Sequence, residues 1–230
     1  FGLTEPDAGS DAGATKTTAV KKGDEYILNG GKIFITNVGE AGILNLTARV
    51  IEGDEDKGIG AFIIETNTPG LIINPKEKKM GWCASDTRQI FFEDMAVPAK
   101  NMLGTPGIGF KTFLKTLTGG RISIAALSVG TALGAYERAL KYAAERKAFG
   151  KVIHKFQAIG NKLADMATEI EAAKLLTFHA AWMKDQGLDI QKEAAMAKLF
   201  ASETAMRTTT EAIQIHGGYG YVKEYDVERY

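Results

Sequence analysis

The 230-residue sequence predicts an α+β protein: a β domain of short antiparallel strands, barrel or sandwich, over residues 1–104, then a helical domain of the four-helix-bundle type over residues 105–230. Three observations carry this. Before residue 105, short runs rich in β-branched and aromatic residues are bounded by Gly, Pro, Asn or Asp. Beyond it, apolar residues recur every three or four positions over stretches too long for strands. With 45% hydrophobic and 24% charged residues, the chain has the material for a buried core and lies far from disordered compositions.

The opening segment "FGLTEPDAGSD" concentrates turn chemistry, since Pro fixes φ, Asp and Ser bond nearby amides, and Gly relaxes the backbone. Lys22, Gly23 and Asp24 form a turn ahead of "EYILN" and "KIFITN", and Asn29, Gly30 and Gly31 between those runs predict a tight hairpin. Strands follow in "ILNLTARV", "GIGAFIIE", "GLIIN" and "RQIFFEDMAV", the last ended by Pro98, which cannot donate to a ladder. A short helix over Phe110–Leu117 precedes three long ones. Their expected seams are Ile122, Ala126, Val129, Leu133, Tyr136, Leu140 and Ala143, then Ile159, Leu163, Met166, Ile170, Ala173, Thr177 and Ala180, then Ala195, Leu199, Ser202, Met206, Thr209 and Ile213. Gly150, Gly187 and Gly217 are expected near the helix ends.

Lys plus Arg equals Asp plus Glu at 28 each, so the basic field that gathers nucleic acid is missing. The lone Cys83 permits no internal disulfide and suits a reducing, non-secreted setting. No apolar run reaches membrane-spanning length. His154, His179 and His216 lack metal-ligand spacing, so no metal is expected. Trp82 and Trp182 read as core or interface anchors. "LGTPGIGFKT" has two glycines at phosphate-loop spacing, but Phe110 separates Gly109 from Lys111 and breaks the register that aims the lysine.

Four places combine groups that suit a planar, charged ligand. Gly9 admits a flat ring to the backbone while the Thr4 and Ser10 hydroxyls meet its polar edge. Phe34 and Thr36 share a strand face, setting a hydroxyl beside an aromatic ring. Arg146 near Gly150 offers a guanidinium fork for a pyrophosphate, and Gln214 accompanies Gly217 and Gly218 after a long helix. Locally, a turn, an ordinary strand, a helix end and a helix stop explain the same residues, except that a helix stop does not explain Gln214.

In this order, "TEPDAGSD", "IFITN", "GIGFKT", "ERKAFGK", "KFQAI" and "QIHGGYGY" resemble the acyl-CoA dehydrogenase family along the whole chain. The resemblance implies a flavoenzyme of an N-terminal helical domain, a middle β domain and a C-terminal bundle. The chain matches most of the last two, so it is expected to be a fragment without the first. The implied reaction is α,β-dehydrogenation of an acyl-CoA thioester, with hydride passing to N5 of FAD and electrons going on to electron-transferring flavoprotein. A homodimer or homotetramer, in a bacterial cytoplasm or mitochondrial matrix, is also implied.

By the same resemblance Phe1, Leu3, Thr4, Gly9 and Ser10 contact FAD, with Thr4 at the pyrimidine side and Ser10 shared with the CoA substrate. Phe34, Ile35 and Thr36 flank the isoalloxazine, Thr36 donating to N5. Arg146, Lys147, Ala148 and Phe149, then Phe156 and Gln157, match segments that hold the diphosphate and adenosine. Gln214, Ile215, His216, Gly217 and Gly218 match a further FAD segment. Thr118 and Arg121 fall at substrate-binding positions, though Thr118 replaces a frequent aspartate. No catalytic residue is assigned: one family branch places the base glutamate where Gly120 stands, and the other places it after the stretch matching "EYDVERY", beyond Tyr230. Gly119 and Gly120 with "HGGYGY" resemble short-chain, butyryl-type members. A related acyl-CoA oxidase, a flavin-dependent monooxygenase and a non-catalytic scaffold of the same fold are the alternatives.

Overall fold

The computed structural model describes residues 1–230, which separate into two units, Phe1–Lys115 and Thr116–Tyr230. In the first, the expected β runs become β1 (Thr18–Lys22), β2 (Glu25–Thr36), β3 (Ile43–Glu52), β4 (Glu55–Glu65), β5 (Leu71–Ile73) and β6 (Thr87–Pro98). They form one sheet in the order β4-β3-β1-β2-β6-β5. The Lys22–Asp24 turn is present, with Gly23 at φ 59° and Lys22 paired to Glu25. Pairing is antiparallel except between β1 and β3, which run parallel because β2 carries the chain back before β3 begins. Alternating burial places Tyr26, Leu28, Leu46, Val50, Phe62, Ile64, Ile90 and Met95 in one core.

The hairpin expected at Asn29–Gly31 does not form; β2 runs straight through it, with a register shift against β6 between Leu28 and Gly30. The glycines serve close approach instead of reversal. A Cβ on Gly30 would lie 2.7 Å from Thr17 Cα, and one on Gly31 2.8 Å from the Phe91 ring.

Three helices follow: α1 (Gly109–Glu145), α2 (Gln157–Asp185) and α3 (Gln191–His216), with the small hairpin β7 (Lys147–Ala148) and β8 (Lys151–Val152) between the first two. The separate short helix expected at Phe110–Leu117 is instead the beginning of α1. Gly119 and Gly120 each weaken a helix by only about 1 kcal/mol, too little to end one of this length. Gly187 at φ 71° follows α2 and Gly217 at φ 60° caps α3, as expected. Gly150 is not a helix cap: with Phe149 it makes the β7–β8 turn, at φ 79° and 50°.

The α2 seam is as expected, with Leu163, Met166, Ile170, Ala173, Thr177 and Ala180 buried. The other two seams differ from expectation, α1 in part and α3 throughout. In α1 the expected Ala143 is buried and Ile122, Val129 and Tyr136 pack partly buried against the core, but Ala125, Ala132, Ala135 and Ala139 complete the buried line and Leu133 and Leu140 are exposed. In α3 it is Ala194, Ala197, Ala201, Thr204, Thr208 and Ala212, leaving Leu199 and Met206 exposed. Small side chains let helices approach closely, so alanine and threonine take the packed face and larger residues turn outward. Trp82 and Trp182 are not core residues either, being 66% and 55% exposed. No helix is long and apolar enough to cross a membrane.

Candidate functional site

In the first unit, residues 1–10 lie on the sheet through backbone bonds. Gly2 N–H donates to Asn45 O at 2.7 Å, Thr47 N–H to Gly2 O at 3.1 Å, and Ile33 N–H to Thr4 O at 2.9 Å. The last of these joins the two predicted segments, setting Thr4 beside the residue that precedes Phe34. Leu3 is buried against Ala61 and Phe113, and Phe1 meets Phe113 edge-on at 5.5 Å. Thr4 is half-buried, while Gly9 and Ser10 are exposed.

The end of β2 is bent to present side chains. Phe34 has φ 59°, and pairing with β6 skips from Lys32 to Ile35. Ile35 turns into the core, whereas Phe34, at 62% exposure, and Thr36 face outward. The loop after Thr36 is clamped by the buried Asp86 carboxylate, which accepts Gly39 N–H at 3.0 Å and Arg88 Nε at 2.9 Å. Burial pushes the Asp86 carboxyl up, but Gly39, Arg88 and Lys76 outweigh it and hold it below its ordinary value.

Beneath this surface lies an ion pair that the sequence patterns did not reveal. Lys32 Nζ donates to Glu5 Oε1 at 2.8 Å, to Leu3 O at 3.1 Å and to Thr47 Oγ1 at 3.1 Å, with neither charged side chain more than 4% exposed. Glu5 also accepts N–H bonds from Lys16 at 2.7 Å and Thr17 at 3.1 Å. The available signal was a lysine heading the apolar run "KIFI" inside a strand, with a glutamate in the segment that crosses it.

In the second unit, Arg146 follows α1 and donates its N–H to Tyr142 O at 2.8 Å, with its guanidinium 5.2 Å from the Tyr219 ring. Lys147 and Ala148 form one arm of the β7–β8 hairpin, and Phe149 stands at its tip, 95% exposed and edge-on to Phe156 at 6.1 Å. Lys151 Nζ lies 4.3 Å from the Phe156 ring, and exposed Gln157 begins α2. A cleft of about 520 Å³ brings Arg146 together with Ile215, His216, Gly217 and Gly218. Gln214 is exposed; Ile215 and His216 are buried, with His216 stacked on Tyr142 at 4.3 Å and its Nδ1 2.7 Å from Ala212 O. Thr118 and exposed Arg121 lie one turn apart on α1.

A sheet whose bent strand end presents a ring and a hydroxyl, and a helical unit with a basic hairpin beside a glycine-ended helix, define an α+β protein. The family model of the acyl-CoA dehydrogenase middle domain matches residues 1–95, and that of the acyl-CoA dehydrogenase C-terminal domain matches residues 107–230. The chain belongs to the acyl-CoA dehydrogenase family. It is 56% identical over 230 residues to the probable acyl-CoA dehydrogenase YngJ of Bacillus subtilis. Among solved structures, butyryl-CoA dehydrogenase from Megasphaera elsdenii superposes with a TM-score of 0.95 at 50% identity. A chain solved under the description electron transferring flavoprotein of Acidaminococcus fermentans does so with 0.95 at 52% identity. Each comparison covers 100% of this chain and 60% of the other protein.

Proposed function

We propose that these residues form the FAD- and thioester-binding part of a flavin-dependent acyl-CoA dehydrogenase acting on short-chain substrates. The observation that carries the reading is the Thr4–Ile33 join, which brings the opening segment against the strand end where Phe34 and Thr36 face outward. A flavin fits these residues: an aromatic ring held at positive φ and left exposed, a neighbouring hydroxyl and a half-buried Thr4 suit a ring with one apolar face and a polar edge. Bound FAD supplies the two-electron acceptor.

Phe1, Thr4, Gly9, Phe34 and Thr36 would hold the ring, with Leu3 and Ile35, whose side chains are buried, offering backbone alone, and with Thr4 and Thr36 offering donors to its polar edge. Arg146 and Lys147 supply cations for a diphosphate, and the exposed Phe149 ring and Gln157 amide suit an adenosine, with Ala148 and Phe156 between them. Gln214, Ile215, His216, Gly217 and Gly218 are assigned to FAD binding as a further segment. Ser10, Thr118 and Arg121 are assigned to the CoA thioester. The α proton of a thioester is weakly acidic, so donors must stabilise charge on the carbonyl oxygen while a desolvated carboxylate takes the proton. Gly120 has no carboxylate to do so, and this reading places the base outside residues 1–230 and leaves them inactive alone.

The butyryl-CoA dehydrogenase relative supports a short acyl chain, and the structure described for electron transferring flavoprotein supports that protein as electron acceptor. Exposed apolar residues such as Leu133, Leu199 and Met206 support a dimer or tetramer. The test is anaerobic mixing of the complete, FAD-loaded protein with butyryl-CoA and with palmitoyl-CoA. Rapid bleaching of the oxidised-flavin band by butyryl-CoA is expected, and its absence with both rejects the reading.

A further inference from the structure

Lys32 is fully buried, and its three ammonium protons are matched by three acceptors: Leu3 O, Glu5 Oε1 and Thr47 Oγ1. Two of these belong to the opening segment. The next residue, Ile33, donates its N–H to Thr4 O at 2.9 Å, so two neighbouring residues of β2 grip both carbonyls flanking Thr4. The Leu3–Thr4 peptide has a cation on its carbonyl oxygen, while its N–H, on Thr4, makes no hydrogen bond within the chain. Ion pairs this deep are often matched or bettered in stability by apolar side chains of similar volume, so stability is a weak account of a lysine here. Two residues further along the strand is Phe34.

We propose that Lys32 is a positioning residue: through Glu5 and the Leu3–Thr4 peptide it fixes residues 1–10 in register with Phe34 and Thr36, and it polarises the Thr4 N–H as a donor to a bound flavin. This rests on the reading that these residues bind FAD. A cation on a peptide oxygen draws electron density from the N–H at the other end, and a donor so strengthened binds the ring more tightly as the ring gains electrons. Lys32 thus acts on the cofactor without touching it, and its loss changes both FAD affinity and the flavin's reduction potential.

The test uses the complete protein and the double variant Lys32→Met with Glu5→Gln, which removes both charges and keeps an acceptor for Lys16 and Thr17. Tyr26→Phe is the control, because it deletes the Tyr26–Glu52 hydrogen bond elsewhere on β2. FAD titration of the apoproteins and redox titration of the holoproteins are the readouts. The double variant is expected to bind FAD about tenfold more weakly, because its Thr4 N–H reverts from a charge-strengthened to an ordinary donor, and to show a more negative midpoint potential. Tyr26→Phe is expected to stay within about twofold of wild type at the same potential. A folded double variant with unchanged affinity and potential overturns the proposal, as does an equal change in Tyr26→Phe. Hydrogen exchange of wild-type apo and holo forms needs no variant: the Thr4 amide slows when FAD binds, and unchanged exchange also overturns the proposal. A wild-type protein that takes up no FAD rejects the flavin reading itself, and this inference with it.

Discussion

Lys32 Nζ stands 2.8 Å from Glu5 Oε1, with side chains 0% and 4% exposed, so the pair is closed off from water. Removing one partner strands the other charge in a medium that solvates it poorly. Lys32→Met alone is therefore expected to cost about 3–5 kcal/mol of folding free energy. Adding Glu5→Gln recovers most of that loss. Urea unfolding of the two variants checks this, and equal losses would show that the stranded carboxylate is not the cause.

The same pair gives stability an acid limb. Burial pushes the Glu5 carboxyl up, but the Lys32 hydrogen bond, the Lys16 N–H, the Lys32 charge and the Thr17 N–H together hold it below its ordinary 4.5. A carboxyl whose folded pKa is depressed contributes stability above its unfolded pKa and loses it as pH falls through the folded value. Burial lowers the Lys32 ammonium from its ordinary 10.5, against the Glu5 hydrogen bond and charge. Wild type should therefore lose stability relative to the Lys32→Met, Glu5→Gln double variant as pH falls below 4.5. Unfolding curves recorded down that limb check it; a constant difference would mean that Glu5 titrates normally.

Local patterns read well where one interaction decides. The Gly23 turn, the Pro98 strand end, the α2 seam and the caps at Gly187 and Gly217 each follow from backbone freedom or a single apolar period. They read poorly where two surfaces compete for a residue. Gly30 and Gly31 carry the signature of a hairpin turn, yet what selects glycine is the approach of Thr17, just ahead of β1, and of Phe91 in β6. Leu199 and Met206 look like core on hydropathy, yet the close approach of helices selects Ala197, Ala201 and Thr204 beside them. At the candidate site, Phe34 and Thr36 were legible from strand alternation, because the residue between them is buried. The Lys32–Glu5 pair was not, since its meaning depends on the opening segment crossing β2, and Lys32 and Glu5 lie 27 residues apart.

Two glycines of α1 should respond to alanine with opposite signs. A Cβ on Gly109 would fall 2.4 Å from Ala61 N and Gly60 C, a clash of backbone on backbone that no rotamer relieves. Gly109→Ala is expected to cost about 1–3 kcal/mol. Gly120 is exposed within the same helix with nothing within 4 Å of an added Cβ. Gly120→Ala is expected to add about 0.4–1 kcal/mol. Urea midpoints of the two variants should bracket that of wild type; both moving the same way would contradict the packing at the start of α1.

Phe34 is strained without an evident return: it holds φ 59° while 62% of its surface is exposed. The left-handed region costs a residue with a Cβ about 1–2 kcal/mol, and a ring left largely in water recovers little of it. Glycine adopts that conformation freely but adds about 0.5–1 kcal/mol of unfolded-state entropy to be overcome, so the two effects nearly offset. Phe34→Gly is therefore expected to leave the folding free energy of the apoprotein within about 1 kcal/mol of wild type. FAD affinity should fall by contrast, because an aromatic surface beside Thr36 is lost from the face assigned to the flavin. Urea unfolding of the apoprotein and FAD titration separate the possibilities. A loss of more than about 2 kcal/mol would make the ring a structural element, whereas unchanged FAD affinity would remove Phe34 from the cofactor site and leave its strain unexplained.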